Sequence, residues 1–140
     1  MASLVSAIRS VLLDDADVAS AVSTRIVPDV LPQGETLPAI TIRRISTRHE
    51  NTINGSKARM AHARVTIETF ADTRLSADDI AEKVRLSGIL DWVGVQYGVD
   101  SRGVQVDTGI FHTTEQNTEG SHELRYISAQ DFEISFVEAV

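Results

Sequence analysis

The sequence predicts an α+β fold: a mostly antiparallel β-sheet of about four to five strands, helices packed on one face, and extended β-hairpin loops. Three observations carry it. Helical periodicity is confined to the first 22 residues and to a stretch beginning near Ser76. Four longer β-rich runs fill most of the rest. Turn chemistry lies inside each pair of runs, at Asn54-Gly55 and across Thr114 to Ser121, so a hairpin stands on either side of a central helix.

Taken in order, Ser3 caps a first helix whose apolar stripe is Leu4, Val5, Ile8, Val11 and Leu12. Asp14-Asp15 interrupts it. A second short turn holds Val18, Ala21 and Val22 and is capped by Asp15 or Asp17, whose charge suits the helix start. Arg25 to Ile40 then contains all three prolines. Proline fixes φ and biases the preceding residue toward extended backbone, so this segment is a stiff connector into a sheet.

Ala39 to Arg48 and Arg59 to Phe70 read as the first hairpin. Two registers are open. Centring on Asn54-Gly55 opposes Ile42 to Ile67; a wider loop opposes Ile45 to Ile67 and Arg44 to Glu68. The second pairs opposite charges across the strands and is the favoured expectation. Ser76-Ala77-Asp78-Asp79 resembles a capped helix start, and the helix continues through Ile80 and Val84 to end near Gly88. Leu90 and Trp92 cover the core edge. Val104 to Phe111 and Leu124 to Val137 form the second hairpin, with Phe132, Ile134 and Phe136 on a buried face and Asp131, Glu133 and Ser135 on a wet one.

The 140 residues suit one domain, 1–140, with a single core. Aromatic residues make up only 5%, so that core comes from Val, Ile, Leu and Ala. There is no cysteine, which excludes disulfides, thiolate metal sites and cysteine nucleophiles. The apolar start is broken by Arg9 and lacks a basic leader, so no secretory signal is expected. No apolar run approaches bilayer-spanning length, and no membrane partner is expected. The net charge of −7 argues against a dedicated nucleic-acid-binding module, which would neutralise phosphates with Lys and Arg.

Catalytic readings fare poorly. His112 and His122 flank the second polar loop near Glu115 and Glu119, a set that could ligate zinc, although polar residues beside a loop are usually just solvated. His49-Glu50 and His62 bracket the first loop, but nothing positions them against a substrate. Gly55-Ser56 and Gly120-Ser121 lack the strand–turn–helix setting of a nucleophile elbow. No phosphate loop, dinucleotide fingerprint or H-E-x-x-H occurs. Asn54-Gly55-Ser56 matches a glycosylation acceptor, idle without a signal peptide. No enzyme, cofactor or metal is expected.

One constellation stands out. Arg43, Arg44, Arg48, Lys57, Arg59 and Arg64 place nearly half of the 13 Lys and Arg residues on one hairpin of an otherwise acidic chain. An ordinary solvated face would look the same. Charge segregated on one small domain also suits head-to-tail association, a basic edge meeting a neighbour's acidic one. This cluster is the candidate interface, toward a neighbouring subunit or passing DNA.

The order R-I-V-P at 25–28, L-P-Q-G at 31–34 and L-P-A-I at 37–40 resembles the tail-completion (tail terminator) proteins of long-tailed bacteriophages. The similarity continues through Leu12 to Val18, Ala63 to Ala71, Ala81 to Arg85 and Arg125 to Ile134. One departure is the region Phe111 to His122, longer than the tight second hairpin of the family's short members. The resemblance implies an α+β sandwich and a non-catalytic virion structural protein. It implies a homohexameric ring that caps the tail tube, ends its polymerisation and meets a head-completion or neck protein. DNA would only pass through its lumen. It also implies a location in the tail and neck of the virion, assembled in the host cytoplasm, with a long non-contractile tail. Two alternatives stand beside it: a head-completion or connector ring, and a small α+β ligand-binding regulatory domain.

Overall fold

The computed structural model describes residues 3–32, 36–50, 59–116 and 124–138, with backbone alone at 59, 115, 116 and 124. In chain order these form α1 (Leu4–Leu13), α2 (Ala16–Val22), β1 (Ile26–Pro28), β2 (Ala39–His49), β3 (Arg59–Ala71), α3 (Arg74–Arg85), β4 (Gly94–Gln96), β5 (Val99–Gln116) and β6 (Leu124–Glu138). The fold is α+β. Among the described residues six strands make one sheet in the order β1-β2-β3-β6-β5-β4. Every pairing is antiparallel except β1 with β2. The expected four or five strands become six because β1 and β4 span three residues each, too short to show a period.

Both early caps fall where the residue types place them. The Ser3 side chain accepts from the Ser6 N–H, and Asp15 accepts from the N–H groups of Asp17 and Val18. The third helix departs from expectation. Its cap is Thr73, which accepts from the Ser76 N–H, so the helix begins at Arg74, and it ends at Arg85 before Gly88. The apolar-periodic signal starts late because Leu75, in the first turn, is 83% exposed.

One face of the sheet carries the helices. Val65, Ile67, Phe132 and Ile134 are buried there against Ile8, Leu12, Val18, Ile80 and Val84. Trp92 and Ile89, after α3, close the edge of this core. Gln130 shares the same face and donates to the Ala81 carbonyl. On the opposite face the proline segment forms a smaller cluster, where Leu31 packs with Ala39, Phe70 and Ile127. The Leu37–Pro38 peptide within that segment is cis.

The hairpin register is Ile42 opposite Ile67, the alternative not favoured from charge. Arg44 sits opposite Val65, and a bulge follows between Arg44 and Ser46. The physical reason is visible in the pairs. Burying Ile42 against Ile67 fixes the register, while Arg43, diagonal to Glu68, still reaches it at 3.1 Å. On β6 the expected wet face is only partly wet, since Asp131 is 6% exposed and held by cross-strand partners.

Candidate subunit interface

The β2–β3 hairpin distributes its arginines over two faces. On the face without helices, Arg43 bridges to Glu68. Arg64 bridges to Asp131 at 2.8 Å and to Asp107 at 3.2 Å, spanning β3, β6 and β5. The Asp131 hydrogen bond and charge, followed by the Asp107 charge, push the Arg64 guanidinium above its ordinary value. Thr66 completes the group by donating to Asp131 Oδ1 at 2.6 Å. These two arginines are satisfied within the subunit.

The remaining described cations are freer. Arg44 donates to Thr47 Oγ1 at 2.7 Å and lies 5.8 Å from the centre of the Phe136 ring. Among the described residues no carboxylate lies within ion-pair reach of it. Arg48 approaches Glu50 only at 3.9 Å and is well exposed. Arg59 enters the description by its backbone, opposite Glu138, and Lys57 lies outside the described residues. The structure thus brings Arg43 and Arg64 into internal ion pairs and leaves Arg44 and Arg48 presented outward.

The histidines are structural partners. His62 sits between Ser135 at 2.7 Å and Glu50 at 2.9 Å, and His49 contacts Glu138 at 2.7 Å. His112 does not turn toward a metal site: its Nε2 lies 2.8 Å from Asp78 Oδ1 on α3, which also accepts from Ser128 at 2.6 Å. The Ser128 bond, aided by His112 and Arg74, holds the Asp78 carboxyl below its usual range despite the opposing effect of burial. Arg74 donates to the Ile127 and Thr113 carbonyls and lies over the Tyr126 ring, so α3 is riveted to the β5–β6 hairpin. His122 lies outside the described residues. No group of three potential metal ligands occurs among the described residues.

Sequence reasoning did not find Asp131, Thr66, Arg74 or Asp78. Their partners lie 34 to 67 positions away, and no local pattern announces such pairings. A groove of about 430 Å³ lies beside α1, lined by Ser3, Val5, Arg9, Val27, Pro28 and Asp29 among others. Arg9 is committed there, donating to the Ile26 and Thr24 carbonyls on the flank of β1. Among the described residues lining the groove there is no histidine, lysine or cysteine, and no described helix is long and apolar enough to cross a membrane.

Comparison with known proteins fits this geometry. A family model described as "Tail completion protein gp17" matches residues 6–87, from α1 through the basic hairpin to the end of α3. A chain in the solved structure titled "Virion of native gene transfer agent (GTA) particle" has the same fold, with a TM-score of 0.60 and 18% identity. That match covers 97% of this chain and 96% of the other. No match is found among curated proteins.

Proposed function

The chain belongs to the tail completion protein gp17 family, structural proteins of phage tail assembly rather than enzymes, and on that premise we propose that it closes into a homohexameric ring capping the tail tube. The ring stops addition of tube protein and offers its other face to a head-completion or neck protein. DNA passes through the lumen without being held. Assembly takes place in the host bacterial cytoplasm, from one domain spanning residues 1–140.

What carries this reading is the match of the family model across residues 6–87, which takes in the whole described part of the basic hairpin. The hairpin suits the role. Arg44 and Arg48 are available to a neighbouring subunit or the tube end, while Arg43 and Arg64 stiffen the arm through internal ion pairs. A ring of chains each carrying −7 has a strongly negative overall charge, which lowers its affinity for a passing polyanion.

The test is tail length in virions made without this protein. A cap that ends polymerisation predicts tubes of uncontrolled length and heads without attached tails. Tubes of normal, uniform length lacking only the head would assign the protein to the neck instead.

A further inference from the structure

Both flanks of the sheet are only partly covered, and the two uncovered stretches complement one another. β1 covers β2 at Ile40 to Ile42, so β2 from Arg43 to His49 has no strand on its outer side among the described residues. β4 covers β5 at Val99 to Ser101, which leaves 102–116 open in the same sense. Long uncovered edges are templates for another strand. Here their chemistry is opposite. Residues 43–49 hold three arginines and no acid, with Arg44 and Arg48 presented outward, whereas 102–116 hold Asp107 and Glu115 and a single cation, Arg102, which is bonded to Asp100 of its own strand. Each edge also exposes large apolar side chains: Ile45 at 48% on β2, Val106 at 41% and Phe111 at 39% on β5.

Resting on the ring reading above, we propose that β2 of one copy pairs antiparallel with β5 of the next, so that the sheet runs continuously around the ring. Strand polarity permits this without any reversal. Between β2 and β5 the order β2-β3-β6-β5 alternates in direction, so a following β2 is again antiparallel to the β5 it meets. Such a contact is heterologous and propagates by rotation alone, as a closed ring requires.

The short strands set the stagger. His49 is level with Ala61, Phe136 and Ser101, and Ala39 is level with Phe70, Ile127 and Thr113. β1 therefore covers one corner of the sheet and β4 the diagonally opposite corner. A neighbour's β2 must lie below β4, and its own β1 must clear the end of β5. Both constraints slide the neighbour the same way, toward Gln116. A consistent slip between strands is what closing a sheet into a barrel demands. The bulges on the two edges, at Arg44/Ser46 and between Val106 and Phe111, supply the bending that goes with it. Bulges and arginines also discourage stray strands. An edge that refuses random partners and accepts a staggered, acidic one is a specific interface.

The cysteine-free chain makes the test direct. Within one copy β2 and β5 are three strand spacings apart, roughly 14 Å, beyond the ~7 Å Cα separation a disulfide can span. A disulfide between them must join two copies. Ser46→Cys is mixed in turn with Thr108→Cys, Phe111→Cys and Thr113→Cys, all exposed and walking along one face of β5, and oxidised. The inference predicts covalent dimers in a mixture with one preferred β5 position. The corresponding double variant should give a ladder of linked species that ends at the closed ring. Native mass spectrometry of the same samples separates the two ideas. Hexamers with no cross-link at any position would overturn the shared sheet and leave the ring standing. Self-linked Ser46→Cys would overturn the head-to-tail arrangement. Monomers at every concentration, with and without added tail tubes, would overturn both.

Discussion

Arg64 on β3 donates to Asp131 on β6 at 2.8 Å, and the same guanidinium reaches Asp107 on β5 at 3.2 Å, so one side chain ties three strands together. The pair sits on the sheet face that carries no helix. Thr66 donates to the other Asp131 oxygen, leaving the carboxylate hydrogen-bonded on both sides and nearly buried. A residue counted among the basic candidates from sequence is therefore part of the sheet's internal framework.

Replacing Asp131 with Ala should destabilise the fold by about 1–3 kcal/mol, because the buried Thr66 hydroxyl loses its acceptor. Asp131→Asn keeps an acceptor oxygen for Thr66 and should cost less. Urea unfolding of both variants checks this through the midpoint at constant slope. Equal midpoints for Asp131→Ala and the parent would show that the network contributes nothing.

The Asp78 carboxyl, held below its ordinary value of 3.8 chiefly by the Ser128 hydroxyl, links stability to pH. Its folded-state value is depressed, so the folded state favours the ionised form. The stabilisation is complete above the unfolded value and is lost as pH falls through the folded one. Asp78→Asn should lower stability near neutrality and flatten the acid limb below about 3.8. Unfolding midpoints followed down that limb give the answer; parallel curves for parent and variant would contradict it.

Arg44 and Arg48 present their charge outward, so reversing both to Glu should weaken association between copies. The loss should be largest in dilute buffer and shrink in concentrated salt, since screening lengths fall from about 30 Å at 0.01 M to 3 Å at 1 M. Sedimentation at several salt concentrations measures it. Unchanged assembly of the double variant at every salt level would remove the hairpin from the interface.

Much of the fold was legible because long elements carry strong periods. α1 has its stripe and its Ser3 cap, and the alternation of Phe132, Ile134 and Phe136 marks the buried side of β6. Three features were not legible, for different reasons. β1 and β4 are too short to display any period. The bulge after Arg44 inserts a residue without altering the composition of the strand. The register argument from charge failed because Arg43 and Arg44 are adjacent, and either can serve Glu68 once diagonal contacts are allowed. At the candidate interface, sequence showed which residues are basic but not which would find carboxylates. That depends on β6 and β5 arriving beside β3 from far along the chain.

The central claim is a closed ring of six, and native mass spectrometry of the purified protein tests it most directly. The account predicts a discrete species at six times the 15.3 kDa chain mass, formed at high concentration or on addition of tail tubes, with no runaway series beyond it. A stable dimer as the largest species in both conditions would mean an isologous contact, and would contradict the ring.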